Sequence, residues 1–153
     1  MKIGVIQASS QTEKNTILYE CTKDYGEVIN FGCFEDEENY SYVEIALEIC
    51  LLISSQAVDF IVTGCSSGQG MMIACNSLPN LICGYLPTPQ DAYLFGRIND
   101  GNVASLPLGL NYGWAGEINL KATLQQLFEE PFGIGYPLKD AKRKREDTKK
   151  IKA

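Results

Sequence analysis

The segment Phe60-Ile61-Val62-Thr63-Gly64-Cys65-Ser66-Ser67-Gly68-Gln69-Gly70 runs an apolar strand straight into a thiol and a glycine-rich turn. Its first six residues have the content of a buried strand, and Cys65 falls at that strand's carboxyl end. A helix can begin at about Gln69, so the turn from Ser66 to Gly70 aims backbone N–H groups and a positive helix end at whatever sits beside the sulfur. Strand, tight turn and helix in immediate succession make half of a β-α-β unit, and the rest of the chain repeats the alternation.

Upstream, Lys2 to Gln7 reads as a first strand. Ser10 or Thr12 can cap a helix that carries Ile17, Leu18 and Cys21 on one face and ends at Gly26. Glu27 to Phe31 is a second strand, followed by the acidic loop Glu35 to Asn39. Ser41 can cap a helix through about Ser55 that is apolar nearly all round, as a helix wedged between layers would be. Downstream of the opening segment, the helix Gln69 to Asn76 leads to a fourth strand, Leu81 to Leu86. Pro89 suits the first turn of a helix reaching about Arg97, and Asn102 to Leu106 is a fifth strand. Glu117 to Glu130 closes the body, with Leu120, Leu124, Leu127 and Phe128 forming a helical stripe. Five strands alternating with helices predict an α/β fold: a doubly wound parallel sheet in three layers, with the flavodoxin or Rossmann-like order 2-1-3-4-5. In that order the ligand crevice opens beyond the carboxyl ends of strands 1 and 3, which places Ser9 and Ser10 opposite Cys65.

A chain of 153 residues with 45% hydrophobic and 21% charged residues supports one domain with a full core. The expected division is a single α/β domain over residues 1–131 and a basic, helical tail over 132–153. The apolar run after Met1 is too short for a signal or a membrane span, and the expected location is cytoplasmic, with no membrane partner. Six cysteines at 21, 33, 50, 65, 75 and 83 contain no C-x-x-C pair, which argues for reduced thiols and against a disulfide framework or a zinc ribbon. Histidine is absent. That excludes a Ser-His-Asp triad, a Cys-His dyad and an H-E-x-x-H zinc site, and leaves acid-base work to Cys, carboxylates, Tyr, Lys and hydroxyls. The tail from Lys139 carries eight Lys/Arg against three Asp/Glu, a charge of +5, whereas the residues before it carry −11. So acidic a body repels a phosphate backbone, so no nucleic-acid partner is expected, and the tail suits capture of a smaller anion or of an acidic partner surface.

Familiar cysteine and glycine motifs fail on spacing. A P-loop needs Lys after its last glycine, but Gly70 is followed by Met71, and a C-x5-R phosphatase loop would need Arg where Met71 stands. What remains is a thiol used as a proton-transfer base beside N–H donors that would stabilise an enediolate. Cys65 is the candidate base; Gly68, Gln69 and Gly70 N–H groups and the Ser67 hydroxyl are the candidate donors.

With GCSSGQG followed by Ile73-Ala74-Cys75-Asn76, VDFIV before it, Tyr42 ahead of the long helix and INDGNV from Ile98 to Val103, the sequence resembles the ribose-5-phosphate isomerase type B and galactose-6-phosphate isomerase family. The resemblance covers nearly the whole body. It implies an aldose-ketose isomerase that acts on a phosphorylated sugar through a cis-enediol, needs no metal or organic cofactor, and works as a homodimer or dimer of dimers with sites built from two subunits. Cys65 matches the family's base, Ser67 its threonine, and Gly68 and Gly70 its anion-hole glycines. Asn99 and Asp100 match a segment that reaches the pocket from the partner. Substrate contacts are expected from Ser9, Tyr42, Ser66, Gly68, Gln69, Gly70, Asn99 and Asp100, and phosphate contacts from Lys139, Arg143 and Arg145. Where the family has Asp-His after the first strand this chain has Ala8 and Ser9, and where it has His before Asn-Asp this chain has Ile98. Both imidazoles used to open a sugar ring are missing, while the residues for the enediol step remain. The alternative reading is a non-catalytic sugar-phosphate binding or regulatory subunit on the same fold.

Overall fold

The computed structural model describes residues 1–37, 40–134 and 138–153. Strands β1 (Lys2–Ile6), β2 (Glu27–Gly32), β3 (Phe60–Cys65), β4 (Cys83–Tyr85) and β5 (Val103–Pro107) form one parallel sheet in the order β2-β1-β3-β5-β4. Helices α1 (Asn15–Thr22), α2 (Tyr42–Ser54), α3 (Gln69–Asn76), α4 (Pro89–Leu94), α5 (Gly116–Phe128) and α6 (Ala141–Lys152) complete the chain. The α/β class, the five parallel strands and the doubly wound layering match the sequence reading. The last two strands are exchanged relative to the expected 2-1-3-4-5. β5 has four fully buried residues and takes the inner position beside β3, whereas the three-residue β4, with one buried residue, takes the edge. An edge strand is best kept short, and an inner strand covered on both faces is mostly apolar.

The alternation of side chains along the strands feeds two cores. Ile3, Val5, Val62 and Ala104 pack with Leu18 of α1 and with Leu120, Leu124 and Leu127 of α5. On the opposite face Ile6, Ile61, Cys65 and Val103 pack with Ile45 and Ile49 of α2 and Met71 and Cys75 of α3. The stripe foreseen on α5 is therefore the stripe that is buried, apart from the half-buried Phe128.

Two local expectations are corrected. Neither Ser10 nor Thr12 caps a helix: the chain leaves β1 directly into a 3-10 segment, Ser9–Lys14, which runs on into α1 and ends in a second 3-10 turn before the extended Gly26. Helix α2 begins as expected, with Ser41 Oγ accepting the Glu44 N–H at 3.3 Å. It is not wedged between layers, because Val43, Leu47 and Leu51 are 49%, 51% and 70% exposed. Of the acidic loop, Glu38 and Asn39 lie outside the described residues. Among those described, no helix is long and apolar enough to cross a membrane.

Candidate functional site

Because β2 and β3 lie on opposite sides of β1, the winding reverses between β1 and β3, and their carboxyl ends face a common crevice. There the Ala8 N–H donates to the Gly64 carbonyl at 2.9 Å, tying the exit of β1 to the exit of β3. The loop after Cys65 is held from the other side: the Leu108 N–H donates to the Cys65 carbonyl at 3.0 Å, and the Gly109 and Leu110 N–H groups donate to the Ser66 carbonyl at 3.0 and 2.7 Å.

Gly68 is the pivot of the turn. Its φ of +82° lies in the left-handed region, and a Cβ there would sit 2.9 Å from the Tyr85 ring and 3.0 Å from the backbone of Leu106 and Pro107. Position and conformation both demand glycine. The buried Ser105 hydroxyl donates to the Gly68 carbonyl at 2.6 Å, and the Gly68 N–H donates to Cys65 Sγ at 3.2 Å. The sulfur thus receives an N–H from the amino end of α3. Gly70 lies under the Tyr42 ring, whose carbons are 3.4 Å from where a Cβ would be.

A cavity of ≈ 330 Å³ opens over this loop, walled by Cys65, Ser66, Ser67 and Gly70 on one side, Ala8, Ser9 and Ser10 on a second, and Tyr40, Ser41 and Tyr42 on the third. Cys65 is 8% exposed and forms part of the wall. Residues at the amino ends of α2 and α3, Ser41, Tyr42 and Gly70, border it, and the partial positive charge of such helix ends favours negative charge nearby. A thiol in this position can take a proton from a carbon acid seated in the cavity, and the hydroxyls around it can donate to the oxygens of that carbon acid.

The structure brings together Cys65, Ser66, Ser67, Gly70, Ser9 and Tyr42 from the residues foreseen for the site. Gly68 lies behind the sulfur and Gln69 beside the loop. Their amides are not free ligand donors as expected: Gly68 N–H is engaged by the sulfur and Gln69 N–H by Ser67 Oγ at 3.2 Å. Asn99 and Asp100 lie elsewhere. They precede β5, whose far end, Pro107, is the residue paired with Cys65, so a full strand length separates them from the cavity. Asp100 is paired with Lys152 of α6 instead. The basic tail lies at that same amino-terminal edge. Arg145 donates to the Gly133 carbonyl, Arg143 pairs with Asp140 at 3.7 Å, and Lys139 is exposed in the turn before α6.

Topology placed Ala8 and Ser10 at the crevice without assigning either a contact, whereas Tyr40, Ser41 and the Gln11 behind Ser66 were not placed at the site from the sequence. Ser41 announced itself only as a helix cap, and a cap marks a helix end without saying what the end faces. Burial pushes Cys33 up to about 11, and Cys83 is raised by its hydrogen bond with Cys75 and by burial. All six cysteines are free thiols.

The sheet order and the crevice define an α/β protein of the doubly wound class with a cavity at its switch point. The family model described as Ribose/Galactose Isomerase matches residues 3–135, and the chain belongs to that family. Among solved structures, a 4-deoxy-L-threo-5-hexosulose-uronate ketol-isomerase complexed with a tartrate is 40% identical, covers 99% of this chain and 75% of its own, and superposes with a TM-score of 0.93. The ribose-5-phosphate isomerase of Vibrio parahaemolyticus is 34% identical over 99% of this chain and 74% of its own, with a TM-score of 0.89. The type B ribose-5-phosphate isomerase of Trypanosoma brucei, 21% identical over 99% of this chain and 96% of its own with a TM-score of 0.82, shares the fold. Comparison with curated proteins gave no match. These findings agree with an isomerase of the type the sequence suggests.

Proposed function

We propose that this chain is a ketol-isomerase that interconverts an aldose and a ketose of an open-chain, anionic sugar through a cis-enediol, with Cys65 as the base. The observation that carries the reading is the sulfur in the cavity wall beside the amino end of α3, with the Gly68 N–H directed at it. In the forward sense Cys65 takes the proton from the carbon bearing the hydroxyl, the carbonyl oxygen takes up a proton to give the enediol, and the first proton returns to the neighbouring carbon as the hydroxyl oxygen gives up its own. No electron leaves the substrate, so no redox partner is needed. Negative charge develops on the oxygens, and the Ser67 hydroxyl, whose lone pair is already used by the Gln69 N–H, has its proton free to donate there.

The missing imidazoles bear on the substrate. A chain with no histidine, and with Ala8 and Ser9 at the end of β1, has lost the groups assigned to ring opening. The sugar acid named for the 40%-identical relative has no hydroxyl at C4 and a carbonyl at C5, so it lacks the two hydroxyls that close furanose and pyranose rings on C1. A substrate of that kind needs no ring-opening catalyst. It therefore suits this site better than a cyclic pentose phosphate such as the substrate named for the Vibrio parahaemolyticus relative.

The reading includes a homodimer. Asn99, Asp100 and the basic residues Lys139, Arg143 and Arg145 sit too far from the cavity of their own chain to serve it, and a partner would bring them to it. The exposed apolar side chains of Val43, Leu47 and Leu51 continue up α2 from Tyr40 and Tyr42 at the cavity rim, and supply a surface for that partner.

The test is turnover of a panel comprising open-chain 5-keto uronates, pentose phosphates and hexose phosphates. Turnover of the keto uronate with kcat/KM at least tenfold above any ring-forming sugar phosphate supports the reading. Preference for a cyclic sugar phosphate contradicts the substrate assignment. Turnover of nothing in the panel, with binding retained, would make this a binding subunit.

A further inference from the structure

Resting on the reading of Cys65 as the base, we infer that Ser105 of β5 is a positioning residue for that sulfur, acting through the Gly68 backbone that it holds. Gly68 sets a problem that its own chemistry does not solve. The turn needs glycine, because φ is +82° and a Cβ would strike the Tyr85 ring and the backbone of Leu106 and Pro107. Glycine is also the residue with the widest backbone freedom, so nothing within it keeps its N–H aimed at Cys65 Sγ, 3.2 Å away. The aim has to be enforced from outside the loop.

Ser105 supplies that restraint. It is fully buried, and its hydroxyl donates to the Gly68 carbonyl at 2.6 Å. The Met72 N–H, in the first turn of α3, reaches the same carbonyl at 3.3 Å. With the carbonyl held, the N–H on the other side of the same Cα no longer swings away from the sulfur. Ser105 is itself fixed in the sheet, where it pairs with Thr63 of β3 and with Tyr85 of β4. Tyr85 is the residue whose ring packs against Gly68. Paired residues of β5 and β4 therefore grip the turn, one by a hydrogen bond and the other by contact. A sulfur that receives a fixed N–H carries negative charge more readily than one whose donor wanders. Removing the hydroxyl at position 105 should make Cys65 harder to ionise while leaving every residue of the cavity wall in place, because Ser105 does not line the cavity.

Thr63 provides an internal control. It is fully buried like Ser105 and sits beside it in the sheet, but among the described residues its Oγ1 has no partner. The two hydroxyls share a setting, and only that of Ser105 bonds the loop.

The test is the rate at which iodoacetamide alkylates Cys65, followed by mass spectrometry of the peptide that carries it, since all six cysteines are free thiols. Rates are taken from about pH 6 to about pH 10, the span over which a thiol titrates, and divided by the plateau at high pH to remove any change in access. Ser105→Ala moves the normalised profile to higher pH and slows alkylation at neutral pH at least about threefold, part of what a hydrogen bond to a charged group is worth. Ser105→Cys, with a weaker donor in nearly the same space, moves the profile the same way by less. Thr63→Val leaves the profile where it is and does not lower the urea midpoint, because the hydroxyl it removes is unpaired. In any substrate that is turned over, the Ser105→Ala loss falls on kcat rather than KM. The inference is overturned if both Ser105 variants keep the parent's normalised profile. It is equally overturned if Thr63→Val moves the profile as far as Ser105→Ala, since the cause would then be core polarity and not the bond to Gly68. Alkylation needs no substrate, so the two claims separate. A displaced profile in a protein that isomerises nothing keeps this inference and removes the proposed reaction; Cys65-dependent turnover with a profile indifferent to Ser105 does the reverse.

Discussion

Gly68 carries two demands that no other residue type can meet, and the chemistry proposed for Cys65 depends on both. The left-handed backbone turns the amide toward the sulfur, and the absent Cβ lets the turn press against Leu106 and Pro107. Gly68→Ala should lower stability by at least about 1–2 kcal/mol from the backbone strain alone, with the contacts at 2.9 and 3.0 Å adding to it. Urea unfolding checks this: a shift in midpoint of that size is expected, and none would mean that the turn is not held as described. At this scale the sequence was legible where chemistry and chain order coincide. Cys65, Ser67 and Gly70 could be placed because a strand, a thiol and a helix start follow one another within eleven residues. Gln11 and Ser66 could not be paired, since a hydrogen bond spanning 55 positions leaves no local trace.

Among the elements, α3 was readable to its ends, and α2 nearly so, because capping and glycine signals are local. The exchange of β4 and β5 was not, because both orders give parallel strands with right-handed crossovers. Only the length and burial of the two strands distinguish them, and the sequence run Leu81 to Leu86 looks longer than the three residues that pair. The apolar α2 was misplaced for a related reason. Composition says that a helix is covered, but not by which molecule. The three exposed side chains Val43, Leu47 and Leu51 recur at four-residue spacing and so form one stripe. If a second copy covers that stripe, Leu47→Glu should sediment as a monomer while keeping the parent's circular dichroism, and should lose most of its turnover. A Leu47→Glu variant that sediments like the parent would show that the stripe is not the subunit contact.

For the molecule as a whole, the sheet concentrates what can react at one end and what is basic at the other. Cys65 and the hydroxyls occupy the carboxyl ends of β1 and β3, while Asp100, Lys152 and the rest of α6 lie at the amino ends. Helix α6 is fastened there by Thr148, whose hydroxyl bonds the Ile98 and Lys144 carbonyls. A charge of +5 in the tail against −11 in the body gives any second copy a favourable way to approach, and a dimer would bring the two ends of different chains together. The resemblance named the family; the distance between Cys65 and Asp100 within one chain could be seen only in three dimensions. The account rests on Cys65 as a carbon-acid base, and the direct measurement is incorporation of deuterium from heavy water at C2 of the substrate, followed by proton NMR. The parent protein should exchange that proton, and Cys65→Ala should slow exchange by at least about 10²-fold, in the range that a positioned base supplies. Exchange in Cys65→Ala at the parent's rate would contradict the account.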